Sequence, residues 1–123
     1  MAGLFFVDSI RRALAERARK KRVQVAAGWP QTKAEINSWK ILPAGDEAES
    51  FTQTDFIEAG FHFILNGEFY GGYLRSVAMG RKEAENLAVG SPSVNVRYNP
   101  ANPDLAVVLA EDNSVLAFKV VSG

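Results

Sequence analysis

The clearest pattern in the chain lies between Asp55 and Val77. Ile57, Ala59, Phe61, Phe63 and Leu65 alternate there with Glu58, Gly60, His62 and Ile64, which places the two sets on opposite faces of a strand. Asn66-Gly67 follows, and then the aromatic run of Phe69, Tyr70 and Tyr73. A type I′ turn needs positive φ at both central residues, and Asn-Gly supplies it, so the two runs predict a hairpin. Upstream, Lys33 to Leu42 predicts a strand with Ala34, Ile36 and Ser38 on one face. Lys33, Glu35, Asn37 and Trp39 are expected on the other.

Downstream, Arg81 to Val89 is rich in helix formers and is stopped by Gly90-Ser91-Pro92. Val94, Val96 and Tyr98 alternate as a strand, and Asn99 to Asp104, with two prolines and two asparagines, predicts a loop. Leu105 to Ala110 is almost wholly apolar and predicts a strand covered on both faces. Glu111 to Ser114 is expected to turn the chain into a last strand, Val115 to Val121. At the front, Val7, Ile10, Leu14 and Ala18 recur at helical spacing, so Asp8 to Val23 predicts an amphipathic helix capped by Asp8 or Ser9. Gly28-Trp29-Pro30 ends it.

These elements predict a mainly β (α+β) fold: a small antiparallel β-barrel or sandwich of five to six strands. An amphipathic helix leads it, and one short helix joins strands three and four. Residues 1–28 are read as a basic helix and residues 29–123 as a β-rich domain.

Charge changes the picture more than composition does. The 123 residues carry no net charge, yet residues 1–30 hold seven basic side chains against two acidic ones, a net +5. Residues 31–123 hold seven basic and twelve acidic side chains, a net −5. An arm of this kind seeks an anionic surface, which could be lipid, nucleic acid, or the acidic body of this or another copy. The absence of cysteine excludes disulfides, thiolate metal sites and thiol catalysis. The longest early apolar run, Leu4 to Val7, falls far short of the roughly 20 residues that span a bilayer. Because the charges follow this run instead of preceding it, no secretory signal is expected. The expected location is cytoplasmic, in solution or peripheral to a membrane.

Residues from about 29 to 109 resemble the bacterial domain-of-unknown-function family numbered 3592. The residues that carry the resemblance are Trp29-Pro30, Phe61-His62-Phe63-Ile64-Leu65-Asn66-Gly67, Phe69-Tyr70-Gly71, Ala84-Glu85 with Leu87, and Val89-Gly90-Ser91. The most specific block is Val94-Asn95-Val96-Arg97-Tyr98-Asn99-Pro100-Ala101-Asn102-Pro103. The resemblance implies a small β-rich module, commonly attached to transmembrane helices, with no established activity or catalytic residue. The chain departs from that pattern in carrying a basic amphipathic helix instead of those spanning helices, and in adding Val115 to Val121.

The candidate chemistry is sparse. His62, the only histidine, has no second His, Cys or adjacent Ser to support it as a base, and it reads as a structural or surface residue. Asp46, Glu47 and Glu49 in the loop from Pro43 to Ser50, and Glu111-Asp112 further on, lack the spacing of a calcium loop. Gly67, Gly71 and Gly72 lie in a hairpin, not between a strand and a helix, so they form no phosphate loop. No catalytic residue, metal ligand, cofactor or enzymatic activity is therefore expected.

Two surface groups remain. Arg11, Arg12, Arg17, Arg19, Lys20, Lys21 and Arg22 are the candidate contacts to an anionic surface, and Phe69, Tyr70 and Tyr73 the candidate aromatic surface. Packing within a cross-strand cluster is the plainer reading of the aromatics, and a helix packed across an acidic sheet face is the plainer reading of the basic arm. The favoured function is a non-enzymatic binding or scaffold module. Its β body would meet a protein partner, and its helix would dock on an anionic membrane or drive self-association. The alternative is a small nucleic-acid-binding protein using the arm and the hairpin aromatics, which the acidic body disfavours. A third reading, a hydrolase or isomerase, would pair His62 with Glu58.

Overall fold

Asn66 and Gly67 adopt φ values of 52° and 84° and close a two-residue turn between β2 (Asp55–Leu65) and β3 (Glu68–Arg75). The hairpin is the one the Asn-Gly pair predicts, with Leu65 opposite Glu68 and Phe63 opposite Tyr70. Ile57, Ala59, Phe61 and Phe63 are buried along one face of β2. The computed structural model describes residues 2–45, 52–87 and 93–123, with side chains on the first helix from Ile10 onward. The acidic residues Asp46, Glu47 and Glu49 and the Gly90-Ser91-Pro92 stop lie outside that description, whereas Asp8 and Ser9, expected to cap the first helix, fall inside a helix that already begins at Ala2.

Around the hairpin, α1 (Ala2–Ala26) leads into β1 (Gln31–Pro43), and α2 (Arg81–Leu87) joins β3 to β4 (Ser93–Asn99), followed by β5 (Asn102–Val107). All strand pairs are antiparallel, in the order β3-β2-β1-β4-β5. The sheet curls until its two edges, β3 and β5, approach each other, giving, among the described residues, a nearly closed barrel-like sheet of five strands. Ile57, Val96, Val108 and Leu109 are its most completely buried large side chains.

The face assignment along β1 needs correction. The register shifts between Ile36 and Ser38, so one residue bulges and the alternation flips. Ile36 and, beyond the bulge, Trp39 and Ile41 all pack on the core, with Trp39 edge-on to Phe118 at 5.9 Å between ring centroids. Ser38 instead turns outward, where its Oγ accepts the Gly60 N–H at 3.2 Å. A strict period of two could not anticipate this extra residue.

The last third departs further from expectation. The loop predicted to reach Asp104 is a tight turn at Pro100-Ala101, with Asn99 paired to Asn102 and Asn99 Oδ1 accepting the Ala101 N–H. Strand β5 therefore begins early and ends at Val107, and as an edge strand it leaves Leu105 52% exposed. The expected strand from Val115 to Val121 is a turn and bends, with Val115 91% exposed and a single bridge from Val120 to Ser76.

The chain is diverted by a 3₁₀ turn at Ala110–Asp112 and by Asn113, whose side chain bonds the Asn95 N–H, the Asn95 carbonyl and the Leu109 carbonyl. The segment that follows stitches the two sheet edges together. Lys119 O accepts from Val77 N–H, Val121 N–H donates to Arg75 O, and Gly123 N–H donates to Val108 O. The segment thus satisfies edge groups that would otherwise face water unpaired.

Helix α1 is longer than predicted at both ends. Its last turn is seated on the barrel: Ala26 is fully buried against Val107 and Leu109, with Val23 and Trp29 beside them. Arg19 adds a bond to the Ser122 carbonyl at 2.6 Å. Residues 10–18, by contrast, are exposed on every side.

Candidate functional site

Three- and four-residue steps bring Ile10, Leu14, Ala18, Lys21 and Val25 onto one stripe of α1. The residues that face the barrel, Arg19, Val23 and Ala26, follow a second stripe, so seating the helix leaves the first one open. Ile10, Leu14 and Val25 are all exposed, as is Leu105 on the adjoining edge strand. The candidate cations Arg11, Arg12, Arg17, Lys20, Lys21 and Arg22 are exposed along the same helix. Arg19 departs from that set. Its guanidinium bonds Glu16, which holds the Glu16 carboxyl below its ordinary value and raises Arg19 itself.

Between α1 and β5 lies a groove of about 550 Å³. Val25, Trp29, Leu105 and Val107 contribute to its walls, and Lys21 and Arg22 stand on the helix side. Leu105, Val25 and Trp29 were not singled out from the sequence as surface residues. Only the openness of β5 as an edge strand exposes Leu105, and that follows from strand order.

The candidate aromatics divide between the two faces of β3. Phe69, opposite Ile64, and Tyr73, opposite Gly60, point outward, 72% and 73% exposed. Tyr70 points inward: Phe63 stacks between Tyr70 at 5.7 Å and Tyr98 at 5.9 Å, so this ring packs against the core. The Tyr70 hydroxyl donates to Glu68 at 2.8 Å, which holds its proton above the ordinary tyrosine value. A continuous three-ring platform is therefore absent, because neighbouring strand positions alternate.

His62 sits half-buried on the outward face. Its Nδ1 is 3.1 Å from the Asn37 amide nitrogen, its Nε2 is 3.5 Å from Glu35, and its ring lies 6.1 Å from Phe69. Glu58, its suggested partner, stands instead in register with Arg75 and Lys40. The two groups are not brought together as an acid–base pair. No cluster of three potential metal ligands occurs among the described residues, and none of their helices is long and apolar enough to cross a membrane.

With this geometry established, the comparison with known families is specific. The model of a domain of unknown function, DUF3592, matches residues 32–113. The chain belongs to the DUF3592 family. The match covers two thirds of the chain, from the start of β1 through Asn113, so the core of the barrel is the family's module and α1 lies outside the match. No curated protein and no solved structure matches the chain.

Proposed function

We propose that this DUF3592 chain is a non-enzymatic binding module whose helix α1 docks on an anionic membrane surface. The observation that carries this reading is the split character of α1. One stripe is seated on the barrel, while Ile10, Leu14 and Val25, flanked by cations, remain open, and Val25 shares a groove with the exposed Leu105. A helix exposed all round over residues 10–18 gains little from packing, and a partner surface would supply the missing burial. Each exposed cation adds about 1 kcal/mol of attraction near an anionic leaflet.

Lipid is favoured over self-association because the stripe is bordered by cations, and a second copy of the same helix would bring like charges together. The outward face of the hairpin, with Ile64, Phe69 and Tyr73, is a separate exposed apolar surface suited to a protein partner. The test is binding to phosphatidylglycerol-containing vesicles. Binding that falls as salt rises, and that Arg17→Glu with Lys20→Glu weakens, supports the reading. Binding indifferent to both contradicts it.

A further inference from the structure

The groove between α1 and β5 is more than a gap left by the helix. On one side are Ala18 and Val25 of α1; across from them are Leu105, Ala106 and Val107 of β5, with Trp29 just beyond the end of the helix. All six are apolar, and the volume of about 550 Å³ is in the range of small-molecule sites. The polar groups at its edge are unevenly placed: Lys21 and Arg22 stand on the helix side, and Asp104 and Gly123 on the other. No partner of Lys21 or Arg22 is found among the described residues.

We infer that this groove binds a single acyl chain carrying an anionic head, with the chain lying between Ala18, Trp29 and Leu105 and the head held by Lys21 and Arg22. The apolar walls exclude a polar or sugar-like ligand, whose hydroxyls would lose water without gaining partners. The adjacent pair of cations selects a carboxylate or phosphate head over an ammonium one. Val25 lines both the groove and the open stripe of α1, so a chain in the groove would continue the surface proposed to meet the bilayer. The inference rests on the membrane reading only for the origin of the ligand, which is either a free fatty acid or one chain of a bilayer phospholipid.

Trp29 provides a direct readout, because bromine quenches indole fluorescence on contact. The second tryptophan, Trp39, packs on the core against Phe118. The probe is a bromine-substituted stearate, titrated below its micelle concentration into the full chain without vesicles. The expected result is saturable quenching at one probe per chain that disappears in Trp29→Phe. Ala18→Phe, at an exposed helix position that lines the groove, abolishes it while the thermal melt and near-ultraviolet spectrum are retained. Lys21→Glu with Arg22→Glu weakens binding at least tenfold, Asp104→Asn tightens it, and each two methylenes removed from the chain cost roughly tenfold in affinity.

A second arm uses vesicles of brominated phosphatidylglycerol. Quenching there that Ala18→Phe removes, without response to free stearate, assigns the occupant to bilayer lipid and supports the site. Unsaturable quenching, or quenching unchanged by Ala18→Phe, overturns it. Flotation with anionic vesicles but no Trp29 quenching by either probe overturns the groove and leaves the membrane reading standing. Saturable stearate quenching without flotation does the reverse.

Discussion

Arg97 and Asp112 meet fork to fork, with Nε 2.7 Å from Oδ2 and Nη2 2.9 Å from Oδ1. The remaining guanidinium nitrogen, Nη1, donates to the carbonyls of Ala27 and Trp29, in the turn that leads from α1 into β1. One side chain on β4 therefore ties the 3₁₀ turn after β5 to the exit of the helix. The last helical carbonyls, Val23, Val25 and Ala26, are already met by the N–H groups of Ala27, Gly28 and Trp29, so Arg97 secures the turn that follows the helix.

Arg97→Lys is expected to loosen this joint, because an ammonium cannot hold a carboxylate and two carbonyls in one planar fork. The midpoint of thermal unfolding should fall by about 5 °C or more. Hydrogen exchange should accelerate at the amides from Val23 to Trp29 before the barrel opens. Unchanged exchange there would contradict the assignment.

The same pair sets an acid limit. The hydrogen bond from Arg97 holds the Asp112 carboxyl below its ordinary value, while burial opposes this with a smaller effect. A carboxyl depressed in the folded state contributes stability that is fully present above the unfolded value, near pH 4, and is lost as pH falls through the folded value. Urea midpoints measured from neutral pH to pH 2 should therefore drop in the acid range. Asp112→Asn should start lower and show a shallower acid limb.

Leu109 is 1% exposed and packs with Ala26 and Val107, so it joins α1 to the barrel. Leu109→Ala is expected to cost about 2–4 kcal/mol in urea unfolding through the cavity it leaves. The exposed Leu105, two strand positions before Val107, should give less than about 0.5 kcal/mol when changed to Ala.

Gly72 tests the packing under the hairpin. A Cβ there would lie 2.8 Å from Cζ of Phe61, so Gly72→Ala must displace a buried ring. About 1–3 kcal/mol of destabilisation is expected, with a change in the near-ultraviolet spectrum as the Phe61, Phe63 and Tyr70 rings shift.

How much of this was legible depended on the range of the forces involved. The hairpin was readable because Asn66-Gly67 and the alternation of β2 are local. The family resemblance likewise rested on contiguous blocks, and the match over residues 32–113 bears it out. The flip at Ile36 and Ser38 was not readable, because the bulge is fixed by Gly60 and Phe118 on other elements. The last predicted strand failed for the same reason: Asn113 captures Asn95 across 18 positions and diverts the chain.

At the candidate site, the cations of α1 were visible in the sequence, but the groove was not. Its far wall is β5, whose place at the sheet edge no local pattern encodes. Tyr70 was grouped with Phe69 and Tyr73 by proximity in sequence, and alternation in the strand separated it.

The central proposal, that the open stripe of α1 meets an anionic bilayer, is tested most directly by flotation with vesicles containing phosphatidylglycerol at low and high salt. The full chain is compared with Ile10→Glu plus Leu14→Glu, two exposed positions remote from the barrel contacts. The expected result is that the full chain floats at low salt, less at high salt, and that the double variant stays at the bottom with an unchanged melt. If the full chain stays at the bottom, or the double variant floats equally well, the stripe is not a membrane-docking surface.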